Sequence, residues 1–186
     1  MKKIIVGITG ASGSIYAVKL IETLLNQNIT VYLVVTKDGY EVVNFETGIN
    51  IDEYFSSYEN LIFCDNNDLF SPIASGSFHI DAMVIVPCSM NTLGFIANGI
   101  TPNLLSRSAD CTIKQKRPLI IVPRETPLSS IHLKNMLYLS DLNVTILPPS
   151  TAFYFKPKTL DDIINFTVGK ILDSLKIENT VYKHWD

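Results

Sequence analysis

The apolar residues of this chain fall into short β-branched runs, separated by longer stretches in which they recur every three or four positions. "KIIVGIT", "TVYLVVT", "AMVIVP" and "PLIIVP" are runs of the first kind. Their length and their Val and Ile content predict strands buried on both faces, since a half-exposed strand would alternate with polar residues. "NLIFCD" reads as a further short strand, and "NVTILPP" as the run that closes the series. Between the first two runs, "SIYAVKLIETLLNQ" sets Ile15, Val18, Leu20, Ile21, Leu24 and Leu25 at helical spacing. "DGYEVVNFE", "NTLGFIANG", "NLLSRSADCTIKQ" and "SSIHLKNMLYLSD" read as helices in turn. The last, "TLDDIINFTVGKILDSL", collects Ile163, Ile164, Val168, Ile171, Leu172 and Leu175 on one side. Strands that alternate with helices predict an α/β fold: a three-layer, Rossmann-like (flavodoxin-like) parallel sheet with helices on both faces. A single domain over residues 1–186 is expected, and "NNDLFSPIASGSFH", residues 66–79, is its one long irregular stretch.

Ligands of such sheets gather beyond the carboxyl ends of the strands. Those positions here are "TGASG" after the first strand, Thr36 after the second, "CSMNT" after "AMVIVP", "RET" after "PLIIVP", and "STAFYFKP" after "NVTILPP". The first is a glycine corner with Gly7, Gly10 and Gly13 around Ser12. A helix that starts there presents unpaired N–H groups to an anion, and Gly10 and Gly13 let the backbone approach it. Ser12 either donates its hydroxyl or caps the helix. The spacing is not G-x-G-x-x-G, and the second strand ends in Thr36 and Lys37 rather than an acid, so a mononucleotide phosphate fits better than NAD. A plain tight turn with a capping serine accounts for the same residues. Ser89 repeats the choice between a second anion site and an ordinary N-cap. Arg124 and Glu125 are either a site pair or a solvated loop pair. Tyr154, between Phe153 and Phe155, serves a site, a core or an interface. Arg107 and Lys114, taken alone, read as a solvated helix face.

Charge and cysteine usage narrow the class. The 186 residues carry a net charge of −3, which disfavours nucleic acid as a general partner. A mean hydropathy of +0.23 argues against disorder. Cys64, Cys88 and Cys111 are odd in number and far apart, which fits a reducing compartment and excludes a C-x-x-C metal site. His79, His132 and His184 are scattered, so no metal is expected. "AMVIVPCSMNTLGFIANGI" is long and apolar, but Pro87, Ser89, Asn91 and Asn98 would sit mid-membrane, and strand, turn and helix fit it better. "MKKIIVGITGASG" reads as a first strand rather than a signal peptide. A soluble, cytoplasmic protein without membrane contact is the expectation.

Three stretches carry a resemblance. "GITGASGSIYA", "PCSMNTLGFIANGITPNLLSRSADCTIKQKRPLIIVPRETPLSSIHLKNM" and "ILPPSTAFYFKPKTLDDIINFTVGKILD" are similar, in the same order, to the UbiX-type flavin prenyltransferases. The similarity covers most of the chain and is weakest between about residues 47 and 70 and at the extreme C-terminus. It implies a Rossmann-like flavoprotein that transfers a dimethylallyl group from dimethylallyl phosphate to reduced FMN, without a metal. The prenylated FMN then serves a UbiD-type decarboxylase. By that resemblance the FMN site takes Gly10, Ala11, Ser12, Thr36, Ser89, Met90, Asn91, Thr92 and Arg124. Tyr154 and Lys170 hold the prenyl phosphate, and Glu46, Arg107, Lys114, Glu125 and Tyr154 match catalytic positions. Relatives assemble as dodecamers with sites between subunits, so a homo-dodecamer is expected. Residues 66–79 and the tail from about 177 to 186, with Trp185, are its candidate contacts.

Two positions depart from the pattern. Asn91 stands where many relatives have lysine, and Lys170 where arginine is common; the first loses a charge, the second the bidentate fork. Two other functions compete. An FMN-dependent decarboxylase of the peptidyl-cysteine or phosphopantothenoylcysteine type shares a "P-x-M-N"-like segment, echoed in "PCSMNT". It needs a catalytic histidine in the first half of the chain, where His79 is the first. A non-catalytic flavin-carrying subunit would have no need to keep Glu125, Lys114 and Tyr154 together.

Overall fold

The computed structural model describes residues 2–183. Along the chain run β1 (Lys3–Ile8), α1 (Ser14–Asn26), β2 (Thr30–Val35), α2 (Lys37–Thr47), α3 (Ile51–Tyr54), β3 (Leu61–Cys64), β4 (Ala82–Cys88), α4 (Met90–Ala97), α5 (Leu104–Lys114), β5 (Leu119–Pro123), α6 (Ser130–Asp141), β6 (Thr145–Ile146) and α7 (Leu160–Ser174). The six strands form one sheet in the order β3-β2-β1-β4-β5-β6. Every neighbouring pair is parallel. The order reverses between β1 and β4, so the chain leaves these two strands toward opposite faces and opens a crevice at their carboxyl ends.

β2, β4 and β5 are buried at every position, as uninterrupted apolar runs require in a sheet covered on both sides. On one face Ile4, Val6 and Ile8 pack with Leu20, Ile21 and Leu24 of α1 and Val168, Ile171 and Leu172 of α7. On the other, Ile5, Met83 and Ile85 pack with Leu93 of α4, Leu105 of α5 and Leu139 of α6. Gly7 belongs to this packing: a Cβ there would lie 3.0 Å from the Leu105 side chain. The first glycine of the corner therefore makes room for α5 rather than for a ligand.

The structure departs from the sequence reading in four places. The closing strand is only Thr145–Ile146, extended by one bond from the Leu147 amide to the Ile121 carbonyl. Pro148 and Pro149 follow and have no N–H to continue the ladder. Ile15 is turned outward and 38% exposed, while Ser14 and Ala17 take the inner positions of that turn. Residues 66–79 are not irregular throughout: a 3-10 turn, Pro72–Ala74, lies against α5, where Ser108 Oγ donates to the Ile73 carbonyl and Arg107 Nε to that of Ala74. The fourth is α3, an element that periodicity could not announce, because its four residues bury only Ile51.

Residues 177–183 of the C-terminal segment fold back on their own chain, and Ile177 joins the core beside α7. His184 and Trp185 lie outside the described residues.

Candidate active site at the strand ends

One buried side chain joins the ends of β1 and β4. Thr9 Oγ1 donates to the Pro87 carbonyl at 2.8 Å and accepts from the Ser89 amide at 2.8 Å. The Thr9 residue is 1% exposed. The end of β2 is tied in by the Thr36 amide, which donates to the Ile8 carbonyl, and the end of β5 by the Arg124 amide, which donates to that of Cys88. Four strand ends are thus fixed side by side before any ligand is considered.

Three helices start on this edge. Thr36 caps α2, its Oγ1 accepting from the Gly39 amide at 3.1 Å. Gly39 is needed there, because a Cβ would sit 2.8 Å from the Ile8 carbonyl oxygen. Ser89 caps α4, its Oγ accepting from the Thr92 amide at 3.3 Å and donating to Thr92 Oγ1. α1 is different: its N-cap is Gly13, at φ 107°, and it has no side-chain cap. The anion at its start is Glu46, from the last turn of α2. The Glu46 carboxylate accepts from the Gly13 amide at 3.0 Å and from the Ser14 amide at 2.8 Å. Ser12 is therefore not the helix cap; its hydroxyl hydrogen-bonds the same carboxylate.

This self-occupied corner revises which amides remain for a phosphate. Glu46 holds those of α1, whereas helix geometry leaves the first amides of α2 and α4, at Lys37, Asp38, Met90 and Asn91, without intrahelical acceptors. A mononucleotide phosphate and ring fit this donor set, with the Ser12 hydroxyl and Glu46 at the rim. Gly10, Ala11, Ser12, Thr36, Ser89, Met90, Asn91, Thr92, Arg124 and Glu46 all lie along this edge.

Glu46 has an electrostatic signature. Burial pushes its carboxyl up, but hydrogen bonds from Ser12, Ser14 and Gly13 outweigh burial and hold it below the usual value of 4.5. A depressed folded value means that the stabilisation is complete above about pH 4.5 and is lost as the pH falls through the folded value. Melting temperatures measured from pH 7 to pH 3 should show Glu46→Gln less stable than wild type near neutrality, by about 1 kcal/mol or less for so exposed a group. The two curves should converge in acid. A gap that stays constant over that range would show that the Glu46 charge does not hold the start of α1.

Glu125 follows β5 directly and is exposed; its Oε1 accepts from the Thr126 amide at 2.9 Å. The other catalytic candidates have their contacts on α5 and α7. Arg107 donates to Asp110 at 3.0 Å on the second turn of α5. Lys114 is the last residue of α5, at the end that leads into the start of β5, away from the strand ends. Tyr154 and Lys170 belong to an aromatic group around α7: Phe166 lies 6.0 Å from Tyr154 and 5.4 Å from Tyr182, centroid to centroid, and Lys170 lies over Tyr182.

Sequence reasoning missed Thr9. Its signal was a hydroxyl at the last position before a glycine corner, where an inward-pointing residue of a buried strand would otherwise be apolar. It also missed that Glu46 and Ser12, 34 positions apart, form one unit.

His79 argues against the decarboxylase alternative. It sits before β4, at the opposite edge of the sheet, 3.4 Å from Asp81, whose other oxygen accepts from the Lys3 amide at the start of β1. Among the described residues, no group of three or more His, Cys, Asp or Glu is placed to hold a metal, and no helix is long and apolar enough to cross a membrane. All three cysteines are free thiols, and burial pushes that of Cys88 well up.

A doubly wound sheet with phosphate-ready helix starts at its switch point defines a mononucleotide-binding protein of the flavoprotein class, and the Flavoprotein family model matches residues 1–172. Full-length similarity is more specific. The flavin prenyltransferase UbiX of Methanocaldococcus jannaschii is 49% identical over 98% of this chain and 98% of its own length. That of Aquifex aeolicus is 43% identical over 100% and 99%. AnUbiX (PadA1), crystallised with FMN and dimethylallyl pyrophosphate, superposes with a TM-score of 0.95 at 36% identity, covering 100% of this chain and 97% of that one. The chain belongs to the UbiX family of flavin prenyltransferases. A PPC decarboxylase, 23% identical with a TM-score of 0.65 over 81% of this chain and 83% of that one, shares the fold alone.

Proposed function

We propose that this chain transfers a dimethylallyl group from dimethylallyl phosphate to reduced FMN and makes prenylated FMN for a UbiD-type decarboxylase in the cytoplasm. The observation that carries this reading is the strand-end cradle fixed by Thr9, which offers the amides of α2 and α4 beside a hydroxyl–carboxylate pair, Ser12 and Glu46. In the reaction the donor's carbon–oxygen bond breaks, inorganic phosphate departs, and the prenyl carbons bond to the flavin to close a fourth ring. Reduced FMN supplies the electron-rich ring atoms that accept the prenyl group.

The protein's own residues have three tasks. The cradle orients the flavin, with Arg124 and the stretch Ser89–Thr92 along one side of it. Arg107, Lys114 and Lys170 offset charge that grows on the departing phosphate, and Tyr154 donates a hydrogen bond to it. Glu125 carries a proton between flavin and phosphate. A group of positive side chains does this without a metal.

Lys114 closes α5 ahead of the amino end of β5 while Glu125 follows its carboxyl end, which supports a site shared between copies. The exposed apolar surface agrees: Phe70 is 99% exposed, Phe45 90%, Phe153 72% and Ile131 67%. Exposure of this extent on side chains so large fits contacts between copies. A dodecameric FMN-dependent UbiX-like decarboxylase from Escherichia coli O157:H7 is 38% identical with a TM-score of 0.94, covering 99% of both chains. A dodecamer of this chain would bring the α5 cations and the α7 group to a neighbour's cradle.

The direct test of the reaction is release of inorganic phosphate. It should require both reduced FMN and dimethylallyl phosphate, and release without flavin would count against prenyl transfer. Lys170 gives a separate prediction. Lys170→Ala should raise the donor KM by about tenfold or more, the size of one charge-assisted hydrogen bond, and leave FMN affinity alone. Lys170→Arg should retain activity, because guanidinium grips phosphate with two parallel bonds. An unchanged donor KM in Lys170→Ala, with FMN saturating, would return this lysine to the solvent.

A further inference from the structure

Lys170 does not stand alone on its helix. Asp173 lies one turn on, with Oδ2 3.6 Å from Lys170 Nζ. The lysine side chain is 48% exposed, so it is reachable, but any incoming phosphate competes with that carboxylate for it.

The C-terminal segment bears on this competition. Tyr182 OH donates to Asp173 Oδ2, the same oxygen that faces Lys170, at 2.5 Å. Asn179 Nδ2 donates to the other oxygen, Oδ1, at 3.0 Å. The Tyr182 ring is seated on Gly169, where an added Cβ would lie 2.0 Å from the ring. Lys170 Nζ lies 5.9 Å from the centre of that ring. Burial and the neighbouring Asp173 push the Tyr182 phenol far above its ordinary value, so it remains a donor at any physiological pH.

A carboxylate already engaged by hydrogen bonds is partly neutralised and attracts a further partner less strongly. Lysine also depends on its neighbours more than arginine would, since its ammonium is a point charge on a flexible four-carbon stem. The ring face of Tyr182 gives that stem a second, undemanding resting place.

We infer that the C-terminal segment, through Tyr182 and Asn179, weakens the hold of Asp173 on Lys170 and so keeps the lysine available to the donor's phosphate. Tyr182 is then a positioning residue for donor binding, and docking of residues 177–183 on α7 tunes the affinity of that site. The inference rests on Lys170 as a donor-phosphate ligand, the reading proposed above.

The test is a set of four variants with steady-state kinetics in dimethylallyl phosphate, FMN saturating. Tyr182→Phe keeps the ring on Gly169 and removes only the hydroxyl. It should raise the donor KM about threefold to fivefold, the scale of a part-exposed ion pair, without changing kcat or FMN affinity. Asp173→Asn removes the competitor and should bind the donor at least as well as wild type. The double variant Tyr182→Phe with Asp173→Asn should recover the KM of Asp173→Asn. A merely structural hydroxyl would give no such rescue, so a double variant as impaired as Tyr182→Phe overturns the inference. An unchanged KM in Tyr182→Phe, with Lys170→Ala impaired, overturns it too and leaves the donor site standing. An unchanged KM in Lys170→Ala overturns both.

Discussion

Glu125→Gln should bind FMN as the wild type does and prenylate it about 100-fold more slowly. The substitution is mild by geometry. Glu125 is exposed, and its Oε1 accepts from the amide of the very next residue, Thr126, a bond that the glutamine oxygen can also make. The backbone around it is set by other contacts, chiefly the Arg124 amide on the Cys88 carbonyl. Glutamine therefore preserves shape and loses only the capacity to take and give a proton. A stopped-flow single turnover near the wild-type rate would remove Glu125 from the proton path. Weakened FMN binding would instead place it among the cradle residues.

Thr9→Val should cost about 1–3 kcal/mol of stability, although it removes one hydroxyl and changes almost no volume. The Thr9 hydroxyl is the hydrogen-bond acceptor of the Ser89 amide, and valine leaves that amide without it. The Pro87 carbonyl fares better, since the Thr9 amide also donates to it at 3.3 Å. The loss should be functional as well as structural, because the Ser89 amide sets where α4 begins and hence where its free amides point. Denaturant unfolding would show the first effect and FMN titration the second. A variant with wild-type stability and wild-type FMN affinity would show that the strand ends are fixed without this bond.

The framework of the molecule was legible because its signals are local. "AMVIVP" and "PLIIVP" have no polar alternation, so they had to be interior strands, and β4 and β5 are buried throughout. Ser89 and Thr36 each stand directly between a strand and a helix and do cap helices. What could not be read depends on contacts distant in sequence. The anion at the start of α1 comes from Glu46, and nothing within "GITGASGS" announces that its amides are already taken. The shortness of β6 follows from two prolines whose effect on a ladder depends on which neighbour is present. The separation of Lys114 from Glu125 is a matter of topology, since Lys114 ends α5 ahead of β5 and Glu125 follows the carboxyl end of that strand. Family resemblance named both residues, but the order of residues alone does not announce that the length of β5 lies between them.

The measurement that bears most directly on the central claim is the mass of the flavin after reaction. Purified protein, FMN reduced under anaerobic conditions and dimethylallyl phosphate should yield a flavin heavier by one prenyl unit, in an amount that exceeds the enzyme. A flavin recovered at its original mass, from protein shown by titration to be saturated with FMN, would contradict prenyl transfer and leave a flavin-binding protein of another function.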